Sequence, residues 1–384
     1  MTRDFRLVGF ALLLWGIGEG LFIYFQTLYL EQLGANPVQI GGYLGLTAVV
    51  MAITHIPAGV LTDHLGPKRV MTAGWLWGLL AAVVMYMAPT LPVFVVGMML
   101  YYSAVALVIA PLNSYLTTVR GEWSVTRALT TSGAMYSTGA IVGSVLGGFI
   151  GEALGLRSAY GLATVFFLVS TLLFLPIRSQ PIEPPGGRRR YRALLSNAAL
   201  GRFLGLASIA LFAMFLSWPL TPNYLQNVRQ IPLRLIGTLG SFNALGMVLL
   251  NLSVGRINPR QGFIICQLAV GASILFLWLG MGIPWLALGY FLMAGSRTAR
   301  PLVTAQVKNL VNLSELGLTY GLVETVTSLT MICAPPIAGL LYRAAPGLPF
   351  PVSLGMIGVS LLLIARFGRR QSSPSVPSHN HINL

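Results

Sequence analysis

Apolar residues run in blocks far longer than a soluble helix needs, and polar residues gather in the short gaps between them. Crossing the hydrocarbon layer takes about 20 residues. Cut at their Pro, Gly and charged interruptions, the runs predict twelve membrane helices at 7–30, 37–61, 70–87, 92–118, 128–152, 157–177, 198–226, 233–255, 263–281, 284–307, 317–342 and 348–364. Between the sixth and seventh lies Glu183-Pro184-Pro185-Gly186-Gly187 followed by Arg188, Arg189 and Arg190, too polar for lipid and rich in helix breakers. The reading is an all-α integral membrane protein with an amino-terminal half at 1–178, a cytoplasmic linker at 179–197 and a carboxy-terminal half at 198–370. Residues 371–384 are Ser, Pro, His and Asn without periodicity, and a disordered cytoplasmic tail is expected there.

Composition agrees. The chain is 55% hydrophobic and 9% charged, against about 25% charged in a soluble globule. A net charge of +15 would suggest nucleic acid if it lay on one soluble face. It is instead distributed by topology. With the amino terminus in the cytoplasm, eighteen of the 24 Lys and Arg fall on that side and four opposite, while Arg297 and Arg300 fall within a span. The positive-inside rule then places both termini in the cytoplasm, in an inner or plasma membrane, and removes the need for a nucleic-acid partner. The first apolar run is too long for the core of a cleavable signal, so it is read as the first span. Cys266 and Cys333 lie inside apolar runs and imply no disulfide.

The segment 59–69 crowds Gly59, Asp63, Gly66, Lys68 and Arg69 into what reads as a turn between the second and third helices. An acid near a helix C-terminus and a basic pair at the next N-terminus are the wrong signs for the helix dipoles. Retention of basic residues inside, or a contact from Asp63 to a neighbouring helix end, are the remaining explanations. This pattern resembles the signature loop of the major facilitator superfamily. Shifted by 192 residues, it falls over 251–262, where Pro67 meets Pro259, Lys68 meets Arg260, Gly255 replaces the acid and Asn258 the second glycine. The resemblance covers about residues 5–370 and implies two pseudo-symmetric six-helix halves, with the loop acting as a gate. It also implies that helices 1, 4, 7 and 10 line a central cavity.

Helix 5 carries Gly139, Gly143, Gly147, Gly151 and Gly155 at a spacing of four, beside Gly148. That makes one flat groove for close helix packing, expected between the halves. In the resembling signature a proline follows the middle glycine, and here Ser144 stands in its place.

An ionised group at mid-bilayer costs about 2.5–3.5 kcal/mol, so acids there face a cavity, pair with a cation or carry a proton. Glu19 sits mid-way along helix 1, with Gln26 seven residues on along the same face. Glu324 lies on helix 11 on a face with Tyr320, Thr327 and Ser328. Asn113 in helix 4 joins these candidates. Helix 10 is the most unusual run. From Pro284 its apolar part stops at Ser296, about 20 Å and short of the ~30 Å hydrocarbon, so the helix must continue through Arg297 and Arg300. Those guanidinium groups either bridge to Glu324 or Glu19, or hold an anionic group of a substrate. His55 is a second-rank proton relay. Helix 7 carries Ser217, Thr221 and Tyr224 on one face, with Pro219 and Pro222 to bend it.

No Gly-Lys dipeptide occurs, so no Walker sequence is present. Nor does the sequence offer a nucleophile beside a base, or paired metal ligands at helical spacing, and an intramembrane enzyme is therefore the disfavoured class. The expectation is a secondary transporter of a small organic solute working by alternating access. Proton coupling and export of amphipathic compounds lead. Passage of organic anions or sugars, with or without coupling, is the alternative. A small-molecule substrate, protons and the bilayer are the expected partners, the chain acting as a monomer without metal or cofactor.

Overall fold

The computed structural model describes residues 2–179, 198–254, 256–307 and 316–368. The expected linker and tail lie outside the described residues. The amino-terminal half holds α1 (Arg3–Ile23), α2 (Gln26–Gln32), α3 (Pro37–Leu65), α4 (Pro67–Met87), α5 (Leu91–Val119), α6 (Val125–Leu154) and α7 (Leu156–Phe174). The other half holds α8 (Ala198–Leu216), α9 (Thr221–Asn227), α10 (Leu233–Val254), α11 (Pro259–Leu279), α12 (Ile283–Met293), α13 (Gly295–Val307), α14 (Leu316–Ala344) and α15 (Pro349–Gly368). Among the described residues eleven spans are long and apolar enough to cross a membrane. The pair α12 and α13, each too short alone, makes the twelfth.

Local chemistry sets many of the ends. Asn36 and Gln39 form a reciprocal capping box at the start of α3, with both bonds at 3.0 Å and Pro37 in the first turn. Ser124 accepts from the Arg127 amide to open α6. The segment expected to be a turn is almost wholly helical: α3 runs on through Asp63 to Leu65, and only Gly66 separates it from α4. Gly66 has φ +82°, a conformation that costs a glycine little and other residues much. Gly155 makes the same one-residue link between α6 and α7 at φ +83°, so it is a helix end and not part of the glycine groove. At the matching break in the second half, Pro259 starts α11 as Pro67 starts α4, and Asn258 caps it through the Arg260 amide. The degraded copy of the loop still makes the same corner by other means.

Three spans are broken. Span 1 bends at Tyr24 and Phe25, span 7 at 217–220, and span 10 at Ala294. Prolines foretell the bend in span 7, whereas nothing of the kind marks span 1.

The glycine groove also corrects an expectation. Gly139, Gly143 and Gly147 face the backbone of Leu13, Ile17 and Leu21 on α1, within one half. The halves meet instead where Gly148 packs on the backbone of Leu233 and Arg234 of α10, and where the Ser144 hydroxyl donates to the Gly237 carbonyl at 2.6 Å. Gly151 meets the side chains of Leu156 and Leu233. A second contact between halves joins α3 to α14, with Gly41 against Pro335, Gly45 against Ile332 and Gly339 against Pro37.

These contacts gather toward one end of the bundle. There α2 and α9 are tied by the Glu31 carboxylate, which accepts from Asn223 at 2.6 Å and from Asn227 at 2.9 Å and 3.0 Å. Arg234 pairs with Glu152 at 3.7 Å nearby. Toward the other end α3 and α14 part. A Cβ on Gly41 would meet the Pro335 carbonyl oxygen at 2.3 Å, yet one on Gly59, five turns along the same face, would meet nothing within 4 Å among the described residues. Among the described residues the molecule is therefore closed at the end carrying Glu31 and splayed at the end carrying Gly66, where the Glu324 side chain on α14 is 61% exposed.

The Glu31 tie has a measurable consequence. Asn223 is buried, so Glu31→Ala strands a donor whose bond to a carboxylate contributes about 1.5–3 kcal/mol. The closed end is expected to open at least about tenfold more often. Spin labels at Gln32 and Val228 read the change as a longer-distance population, and an unaltered distance distribution would reject the tie.

Candidate functional site

Between the halves lies a cavity of about 220 Å³. The broken spans build much of its wall: Glu19 stands one turn before the bend in span 1, Gln26 and Thr27 just after it, Trp218 and Pro219 in the bend of span 7, and Arg297 just past the bend in span 10. Irregular backbone at membrane depth is tolerated where it borders a cavity. Arg300, Glu324, Ser328 and His55 continue the wall toward the splayed end.

Five of the six substrate and coupling candidates thus surround one space. The sixth, Asn113, is exposed on α5 and does not line it. The bend of span 7 also divides its polar face. Ser217, Thr221 and Tyr224 are buried away from the cavity, and Trp218, Pro219 and Pro222 face it instead. Ser328 lines the cavity while Thr327 is buried and bonds back to its own helix. Tyr320 and Asp63 have side chains outside the described ones. Gly59, Gly66, Lys68 and Arg69 sit at the splayed end, and none of them lines the cavity.

Arg300 and Glu324 form an ion pair at 3.1 Å, with the Glu324 side chain 61% exposed. The pair is solvated through the cavity, so its net contribution to stability is about 0–1 kcal/mol. Arg297 has no carboxylate within 4 Å among the described residues; its guanidinium reaches the Met247 sulfur at 3.8 Å. Glu19 lies beside the hydroxyls of Tyr136 and Tyr101 and within the field of Arg297. Tyr136 is the better-placed donor, since the Tyr101 hydroxyl completes no hydrogen bond of ordinary geometry.

Polar groups that the sequence did not single out complete the wall. The Tyr102 hydroxyl donates to Gln26 Oε1 at 3.0 Å, leaving the buried Gln26 Nε2 without a partner. The Thr27 Oγ1 is unpartnered too. Tyr24 crosses between the halves to Asn243 at 3.2 Å, and Asn243 donates to the Tyr290 carbonyl at 2.9 Å. Only their closeness in sequence to Glu19 and Gln26 could have drawn attention to Tyr24 and Thr27.

Two six-helix halves closing on a chamber that carries charged side chains at membrane depth, walled in part by broken helices, define a membrane transport protein. The sequence agrees with that class throughout: the chain belongs to the Major Facilitator Superfamily, whose family model matches residues 8–295 and 203–381. It is 22% identical over 383 residues to the quinolone resistance protein NorA of Staphylococcus aureus, covering 95% of this chain and 97% of that protein. Multidrug resistance protein 1 of Bacillus subtilis is likewise 22% identical, over 363 residues, covering 90% and 92%. Among solved structures, the nucleoside transporter NupG superposes with a TM-score of 0.78 at 13% identity, covering 97% of this chain and all of that one. The protein is thus an integral membrane transporter for small molecules, and the likeness to NupG speaks for the fold alone.

Proposed function

We propose that the protein exports small amphipathic organic solutes in exchange for protons, alternating between the observed state and one splayed at the opposite end. The observation that carries this reading is the chamber itself. It is closed by Glu31 and its partners at one end, its wall runs on through Arg300 and Glu324 toward the end bearing Gly66, and it carries a carboxyl, Glu19, one turn before the bend of span 1. A solute and a proton can each reach that carboxyl from one side at a time. The relatives named for drug resistance support export of amphipathic compounds. The corner at 59–69, with its backbone hinge at Gly66, serves as the gate that closes when the halves rock the other way.

Orientation rests on the distribution of Lys and Arg, which puts the splayed end in the cytoplasm. A reporter active only in the cytoplasm is expected to work when fused after Gly187 and to fail when inserted near Pro346. Activity reversed between the two sites would invert the direction of transport. Substrate class is tested by thermal stability of the purified protein against drugs, sugars and carboxylates, since a ligand that binds the folded state raises the melting temperature. Drug-like amphiphiles are expected to stabilise it. Stabilisation by sugars alone would turn the reading to facilitated sugar passage.

A further inference from the structure

The charges of the chamber carry the transporter reading further, to the electrical form of the solute. The chain as a whole is strongly basic at +15, yet the titratable side chains of Glu, Arg and His on the chamber wall are two acids, two guanidinium groups and one imidazole: Glu19, Glu324, Arg297, Arg300 and His55. Arg300 and Glu324 satisfy each other at 3.1 Å. That leaves one carboxylate and one guanidinium, Glu19 and Arg297, facing the same space without an ion pair between them within 4 Å. They are close enough for Arg297 to act on Glu19 through its field.

A lone anion bound at Arg297 would bring a negative charge toward Glu19. A lone cation at Glu19 would be repelled by Arg297, and either would leave a net charge at membrane depth, where charge is costly. A solute with one charge of each sign meets both groups and adds none. The rest of the wall suits such a molecule. Gln26, Tyr24 and Tyr102 add polar side chains to the same wall. Ile23, Met51 and Trp218 add apolar surface to the same wall.

We propose that the chamber selects net-neutral dipolar solutes, holding an ammonium group at Glu19 and a carboxylate at Arg297 on either side of a flat apolar body. The proposal rests on the transporter reading and deepens it: release of the ammonium when Glu19 takes up a proton would couple the two movements. The test uses four compounds on one skeleton: 4-(aminomethyl)benzoic acid, its methyl ester, its N-acetyl derivative and the doubly capped compound. These are respectively dipolar, cationic, anionic and neutral. Calorimetric titration of the purified full chain is expected to give the dipolar compound at least about tenfold tighter binding than any other, a difference of about 1.4 kcal/mol.

In Arg297→Gln the acid and its ester should bind alike while the preference for the free amine survives. In Glu19→Gln the preference for the amine should vanish and that for the carboxylate survive. Should either variant fail to fold, the four affinities of the unaltered protein still decide. A capped compound binding as tightly as the dipolar one overturns the proposal, and so does absence of binding by all four. If that happens while the protein still accumulates other solutes under a pH gradient in vesicles, the transporter reading stands and only the solute class falls.

Discussion

Glu19→Gln is expected to abolish solute accumulation driven by a pH gradient, to the level of vesicles without protein, while exchange of labelled for unlabelled solute continues without a gradient. The carboxamide keeps the shape of the carboxyl and can still accept from Tyr136, the hydroxyl beside it. What it loses is the proton. Coupling needs a group whose proton affinity differs between the two states of the cycle, and a carboxyl responds both to desolvation and to the distance of a guanidinium. Glu19 has such a partner in Arg297, on the opposite half of the molecule. When the halves rock, that separation must change. Accumulation that survived in Glu19→Gln would remove Glu19 as the coupling residue and assign the coupling to another group.

Gly143→Leu should leave almost no monodisperse protein on size exclusion, whereas Gly59→Ala should yield within about twofold of the unaltered chain. The contrast follows from what each position touches. A Cβ on Gly143 would lie 2.0 Å from the Ile17 carbonyl oxygen, and no rotamer relieves a clash between a Cβ and backbone. Overpacking a core with flexible neighbours costs about 1–3 kcal/mol. Here the neighbour is the helix that carries Glu19, so α1 and α6 must separate along the groove formed by Gly139, Gly143 and Gly147. At Gly59 the same added atom meets open space among the described residues. Normal yield of Gly143→Leu would mean that α1 can pack on α6 in some other register.

The length and spacing of the apolar runs determined twelve spans, because the bilayer admits few alternatives to a helix of about 20 residues. The internal repeat likewise marked the corners at Pro67 and Pro259. Buried charge was legible for the same reason: Glu19, Arg297, Arg300 and Glu324 stand out where lipid rejects them, and all four line the chamber. Pro219 and Pro222 announced the bend of span 7. The tertiary structure alone decided the bend at Tyr24, since no proline marks it and Gly18 and Gly20 before it serve close packing on α7 and α6, and with it the placing of Gln26 and Thr27 on the wall. It also decided which partner each glycine of helix 5 takes, since a small-residue stripe specifies closeness and not the identity of the neighbour. Which Arg pairs with which acid was equally beyond the sequence. Helical spacing fixes a face, but the 3.1 Å contact of Arg300 with Glu324 and the separation of Arg297 from Glu19 depend on how α13 and α1 are set across the chamber. Asn113 shows the same limit: a polar residue in an apolar run is conspicuous, but only packing against neighbouring helices turns it toward the chamber or, as on α5, away from it.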